Sequence, residues 1–244
     1  MNKISIFSHV VHGNNNDVKT TYVMKTKIKV LVSIFVSSLF FFSSCQPIHT
    51  RGIDFVEIGI EEYNQASKNK VNQLNRCDEK VLIMQSFMNE FADSIKEVFG
   101  EPFHWESTDM FGNKLVNVEK VMIDDDSLYI VNVYYPIKDR AYVYRTDGKR
   151  ISEGIFGYGL VDENLYVSHE GFDCDEYVWY RFYQLNKDTV KQCAEIKSSY
   201  DYYTPIMDNS YFFGEDHFFY FMVMKKGEES LRYYKADVSK LIGK

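Results

Sequence analysis

Between Glu79 and Phe99 the apolar residues recur at three- and four-residue steps. Val81, Met84, Phe87, Met88, Phe91, Ile95, Val98 and Phe99 fall into one stripe, with Glu90, Asp93 and Glu97 on the opposite side. That spacing predicts an amphipathic helix. Asp78 stands where an N-cap belongs, Gly100 where a C′ glycine belongs, and Pro102 prevents resumption. The stripe either docks a partner or packs on the protein's own sheet. The second is expected, and the exposure of Phe87, Phe91 and Ile95 separates the two. Upstream, Ile53, Val56, Ile60, Tyr63, Val71 and Leu74 also keep helical spacing, although Gly59 and Ser67 interrupt it. They predict a second helix, antiparallel to the first.

The period changes near Leu115. Of the 19 tyrosines, 17 lie between Tyr129 and Tyr234, and aromatic and β-branched residues favour a pleated, half-buried surface. Asp126-Ser127-Leu128-Tyr129-Ile130 returns as Glu163-Asn164-Leu165-Tyr166-Val167 and as Asn209-Ser210-Tyr211-Phe212-Phe213. A second segment follows each: Val143 to Asp147, Phe182 to Asn186, and Tyr233 to Asp237. The intervals are 37 and 46 residues for the first segment, 39 and 51 for the second. A polar turn followed by aromatic strands is hairpin chemistry, and a period near 40 is what propeller blades show. The expected fold is mainly β (α+β): an antiparallel meander or sandwich of propeller-like hairpins, with an N-terminal amphipathic helix or helical pair over one face.

Asp126 to Ile130, followed by Val143-Tyr144-Arg145-Thr146-Asp147-Gly148-Lys149-Arg150-Ile151, resembles one blade of the six-bladed β-propeller lipoproteins of Bacteroidetes. The resemblance implies antiparallel hairpins of that style. The chain departs from it where Gly157-Tyr158-Gly159 runs into Leu160-Val161 instead of a Gly-x-Gly-Pro-Gly-Glu turn. Three repeats also cannot close a six-bladed ring.

Near the amino end, Lys25, Lys27 and Lys29 precede an uncharged run from Val30 to Phe42, then Ser43, Ser44 and Cys45. This is the order of a secretory signal. The run has 13 residues, whereas a spanning helix needs about 20. The segment is similar to the lipobox of bacterial lipoproteins, in the Phe/Ser-Ser-Cys version common in Bacteroidetes. That likeness implies a diacylated Cys45 as the first mature residue, and hence a membrane partner reached through the lipid. Gln46 is not the aspartate of inner-membrane retention, and Pro47 to Arg51 carries no acidic run. By the same likeness the protein is expected on the periplasmic side of the outer membrane. The expected organisation is an upstream extension over 1–23, a signal over 24–44, a tether over 45–52, a helical segment over 53–100 and a β-rich domain over 101–244.

Removing residues 1–44 takes away five lysines and one aspartate, moving the formal charge from −7 to −11. Nucleic acid and anionic headgroups are therefore not expected partners, since phosphate binding needs basic patches. A protein or an oligosaccharide of the envelope is.

The search for chemistry returns little. The chain has no Gly-x-Ser-x-Gly, no His-Glu-x-x-His and no phosphate-cradling glycine loop. His169 is followed by Glu170, Asp173, Cys174, Asp175 and Glu176, so His169, Asp173 and Asp175 are weak metal candidates. A solvated acidic hairpin tip is the favoured reading of that stretch, and Glu215-Asp216-His217 reads the same way. Asp124-Asp125-Asp126 lacks the glycine and glutamate of a calcium loop. No cofactor and no catalytic residue are assigned. Cys174 and Cys193 either pair as a disulfide or, with Cys77, are buried thiols. The remaining candidates are aromatic: Tyr134, Tyr135, Trp179, Tyr202 and Tyr203, if one strand face exposes them in a row. The expected function is non-catalytic binding of a protein or oligosaccharide. A scaffold role through the helix stripe, or an acid–base or metal enzyme near His169, are the alternatives.

Overall fold

The computed structural model describes residues 48–77, 81–99, 115–134, 140–171, 177–205 and 207–242. The chain divides into two compact units, Met1–Gln46 and Pro47–Lys244, and the described residues belong to the second. The expected extension and signal, with Cys45, lie outside them.

In chain order the elements are β1 (Ile48–Arg51), β2 (Phe55–Ile58), α1 (Ile60–Ala66), a 3-10 turn at Ser67–Asn69, β3 (Lys70–Val71), β4 (Asn75–Arg76) and α2 (Val81–Phe99). Then come β5 (Val116–Ile123), β6 (Asp126–Val133), β7 (Arg140–Arg145), β8 (Ile155–Phe156), β9 (Tyr158–Asp162), β10 (Leu165–Glu170), β11 (Trp179–Asn186) and β12 (Thr189–Ser198). β13 (Tyr202–Tyr203), β14 (Tyr211–Gly214), β15 (Phe218–Lys225) and β16 (Leu231–Asp237) complete the body. They form three antiparallel sheets. The first runs β4-β5-β6-β7-β8 and the middle one β1-β12-β11-β10-β9. The third runs β2-β16-β15-β14-β3, with β13 beside β15. The fold is mainly β, as the hairpin chemistry predicts.

The sheets stack face to face, and a helix covers each outer face. Ile83, Met84 and Phe87 of α2 pack on Val118, Tyr129, Val131 and Tyr142 of the first sheet. Its other face, with Leu128, Ile130 and Val143, meets Val161, Tyr166 and Leu185 of the middle sheet. Leu165, Val167, Tyr180 and Phe182 then face Phe213, Phe219, Phe221 and Tyr234 of the third sheet. Tyr63 of α1 closes the stack on Phe212, Tyr220 and Met222. Alternate residues of a strand point to opposite sides, so β10, covered on both faces, is buried at all six positions. That double burial is why Leu165 to Val167 and Phe218 to Val223 read as continuous apolar runs.

Phe87 is fully buried, which takes away the partner-docking surface the stripe would need there. The cap positions Asp78, Gly100 and Pro102 lie outside the described residues.

Several expected boundaries are corrected. The upstream helical stripe is helix only over Ile60–Ala66; Phe55, Val56 and Val71 lie in short edge strands of the third sheet. Gly59 and Ser67 end the helix on either side, and Val56 is solvent-exposed. Residues 48–51 are not a tether: β1 pairs with β12, and Ile48 is buried in the core. Residues 53–100 are no separate segment either, because β2 and β3 join the third sheet and β4 the first. The third sequence repeat is offset. In the first two, the paired segments are adjacent strands, β6 with β7 and β10 with β11. In the third, β15 intervenes between β14 and β16.

Gly157 carries the chain from the first sheet to the middle one. Its φ is +87°, and a Cβ there would fall onto the carbonyl oxygen of His169. Gly157→Ala is therefore expected to lower stability by more than about 1 kcal/mol, read as a lower urea midpoint. An unchanged midpoint contradicts this tight crossing.

Candidate functional site

The structure turns His169 and Glu170 to opposite faces of the middle sheet. His169 is fully buried, its ring centroid 5.0 Å from that of Tyr180 and 4.6 Å from that of Tyr211. Burial pushes its pKa down to about 3, so the imidazole is neutral at physiological pH. Glu170, next along the strand, points to the opposite face and pairs with Arg181 at 2.8 Å. The two side chains cannot share an ion. Asp173, Cys174 and Asp175 lie outside the described residues. Among the described residues, no group of three His, Cys, Asp or Glu side chains could hold a metal.

Cys77 and Cys193 carry free thiols. Cys193 Sγ donates to the Phe182 carbonyl at 3.4 Å, and burial pushes its pKa up. This is the inert, hydrophobe-like use of cysteine.

The aromatic residues mostly build the core. Phe219 alone has ring neighbours in Tyr180, Phe182, Tyr211, Phe213 and Phe221. Tyr202 is buried, and Tyr203 is half-buried beside Met224. The half-buried Tyr134 hydroxyl accepts from Asn117 Nδ2 at 3.3 Å. Tyr135 lies outside the described residues. The described positions among them do not form an exposed row.

What the middle sheet does present is a cluster around Trp179. The Arg181 guanidinium lies 3.7 Å from the Trp179 ring centre, and Lys197 Nζ lies 4.4 Å from it. Tyr177 meets Trp179 edge-on at 6.3 Å and Tyr200 edge-on at 6.0 Å. The Tyr177 hydroxyl donates to Glu170 at 3.4 Å, and Tyr200 is 65% exposed. Trp179 and Arg181 share a face because they are two apart on β11. Lys197 joins them because it pairs directly with Trp179. The first relation is legible in sequence, the second only from the register. A guanidinium against the indole also occupies a face on which a sugar would stack.

Strand directions give the stack two unlike ends. One gathers the turns at 124–125, 146–148, 163–164, 187–188 and 215–217. Polar contacts tie these turns across sheets: Lys187 pairs with Asp126 at 2.7 Å and Arg145 with Asp188, and His217 Nδ1 lies within hydrogen-bond distance, 3.2 Å, of the nearly buried Asp162. Asp124, Glu163 and His217 hold left-handed φ values of 52°, 50° and 59°, which turn the chain sharply. Open clefts of about 510 Å³ beside Asp216 and Tyr220, and about 580 Å³ beside Lys149 and Asp188, flank this end. The opposite end carries the start of β1, Tyr177, Trp179 and Tyr200.

No protein-family model, curated protein or solved structure matches the chain. Among the described residues, no helix is long and apolar enough to cross a membrane.

Proposed function

We propose that this chain is a lipid-anchored protein of the cell envelope, held through Cys45 on the periplasmic side of the outer membrane. Its body is a non-catalytic binding module that engages a protein partner through the turn end. The observation that carries the reading is the convergence of turns from all three sheets at one end, bearing Asp124, Asp125, Asp147, Glu163, Glu215 and Asp216. Loops positioned by a rigid scaffold are where recognition concentrates. The acidic excess selects a basic partner surface. A protein is favoured over an oligosaccharide because Arg181 and Lys197 already lie against the Trp179 indole, the ring best suited to stack on sugar. The lipobox order supports the anchor.

The test is cross-linking and quantitative capture from native membranes, comparing wild type with the Asp124→Lys, Asp125→Lys, Glu163→Lys variant. The partner captured by wild type is expected to bind the variant roughly tenfold or more weakly, and to bind wild type less well as salt rises. Equal capture by both proteins contradicts the proposal, as does salt-insensitive binding of an uncharged glycan.

A further inference from the structure

We infer that the Tyr177–Trp179–Lys197–Tyr200 end of the middle sheet lies against the headgroups of zwitterionic phospholipids in the membrane that holds the anchor. The inference rests on the lipid-anchor reading proposed above and adds an orientation to it.

Its basis is β1. A lipoprotein body on a slack tether has no fixed face towards its membrane. Here Ile48 is buried and pairs with Ser198, so the first strand of the body starts three residues after Cys45. Three residues reach at most about 11 Å. Acyl chains grafted to Cys45 would therefore hold the Ile48–Ser198 end of the middle sheet at the level of the headgroups, a layer about 5–8 Å deep on each side of the hydrocarbon.

The side chains at that end suit the position. Lys197 pairs with both Trp179 and His49 across the sheet, placing all three on one face. Tyr177 and Tyr200 extend the aromatic edge beyond the strands. Tryptophan and tyrosine with nearby lysine and arginine are the residues of membrane–water interfaces. Charge complementarity narrows the lipid. Arg181 and Glu170 pair with each other and are nearly buried, while Lys197 lies over the Trp179 and Tyr177 rings. Lys197 is a half-buried cation at this end, placed to meet a headgroup phosphate. A strongly anionic surface would be disfavoured by the −11 charge of the chain from Cys45 onward. The turns bearing Asp124, Asp125, Glu163 and Asp216 stand at the other end of the stack, open to a partner.

The chain has two tryptophans, Trp105 and Trp179, so Trp105→Phe leaves Trp179 as the single indole reporter. The acylated full-length protein would be reconstituted into phosphatidylcholine vesicles whose acyl chains are brominated near the headgroup, and its intact mass recorded from the same sample. Emission is expected to be quenched roughly twofold relative to unbrominated vesicles. Inserting ten Gly/Ser residues between Pro47 and Ile48 should restore it, since the body is then free to turn away. If Trp105→Phe does not fold, the difference between wild type and Trp179→Phe gives the same reading. A lipidated mass with equal emission in the two vesicles overturns the orientation alone. A mass without acyl groups overturns the anchor and the orientation with it.

Discussion

Replacing Phe219 by alanine is expected to cost about 3–5 kcal/mol, a large part of the 5–15 kcal/mol that holds a typical domain together. Phe219 has no solvent exposure and sits where the middle and third sheets meet. Five aromatic rings lie within 6.4 Å of it, centroid to centroid. Truncation leaves a cavity bordered by large flat rings, and these cannot close over it without leaving their own contacts. Urea unfolding should show the midpoint collapse, with partial unfolding already at zero denaturant if the starting stability is low. The exposed Tyr200→Ala should shift the midpoint by less than about 0.5 kcal/mol. Similar midpoints for the two variants would contradict the stacked-sheet core.

The second large effect is on acid stability. His169 takes up a proton near 6.5 in the unfolded chain but only at about 3 when buried between the sheets. Between those values the unfolded state binds the extra proton, so stability rises with pH across that window. Stability is lost as pH falls below 6.5, at about 1.4 kcal/mol per unit for this group. His169→Phe keeps an aromatic ring against Tyr180 and Tyr211 but removes the titration. From pH 7 to pH 4 the variant is expected to lose about 3 kcal/mol less than wild type, measured by urea unfolding at each pH. Parallel pH profiles would show that the imidazole is not desolvated in the folded state.

How far the fold was readable follows from which contacts are local. The α2 stripe is a 3.6-residue pattern within one segment, so periodicity finds it and the structure places Met84 and Phe87 inward. The β6–β7 and β10–β11 hairpins were equally legible, because turn residues and aromatic strands adjoin in sequence. Strands of two to four residues were not. Ile48–Arg51 and Asn75–Arg76 owe their structure to partners far along the chain, and no local pattern announces such pairing. β15 was missed because burial on both faces erases alternation in Phe218 to Val223. His169 shows the same limit at the level of a site. Its acidic neighbours in sequence suggested a ligand cluster, but strand geometry turns Glu170 to the other face and leaves the imidazole among tyrosines. Trp179 stood out by residue type, whereas Lys197 became its neighbour only through the β11–β12 register.

The account turns most directly on the covalent state of the amino end. Intact-mass measurement of the protein extracted from native membranes is predicted to show a chain beginning at Cys45 and carrying a diacylglycerol group. A chain that still includes residues upstream of position 45, or that begins there without lipid, would contradict the envelope anchor and the binding role built on it.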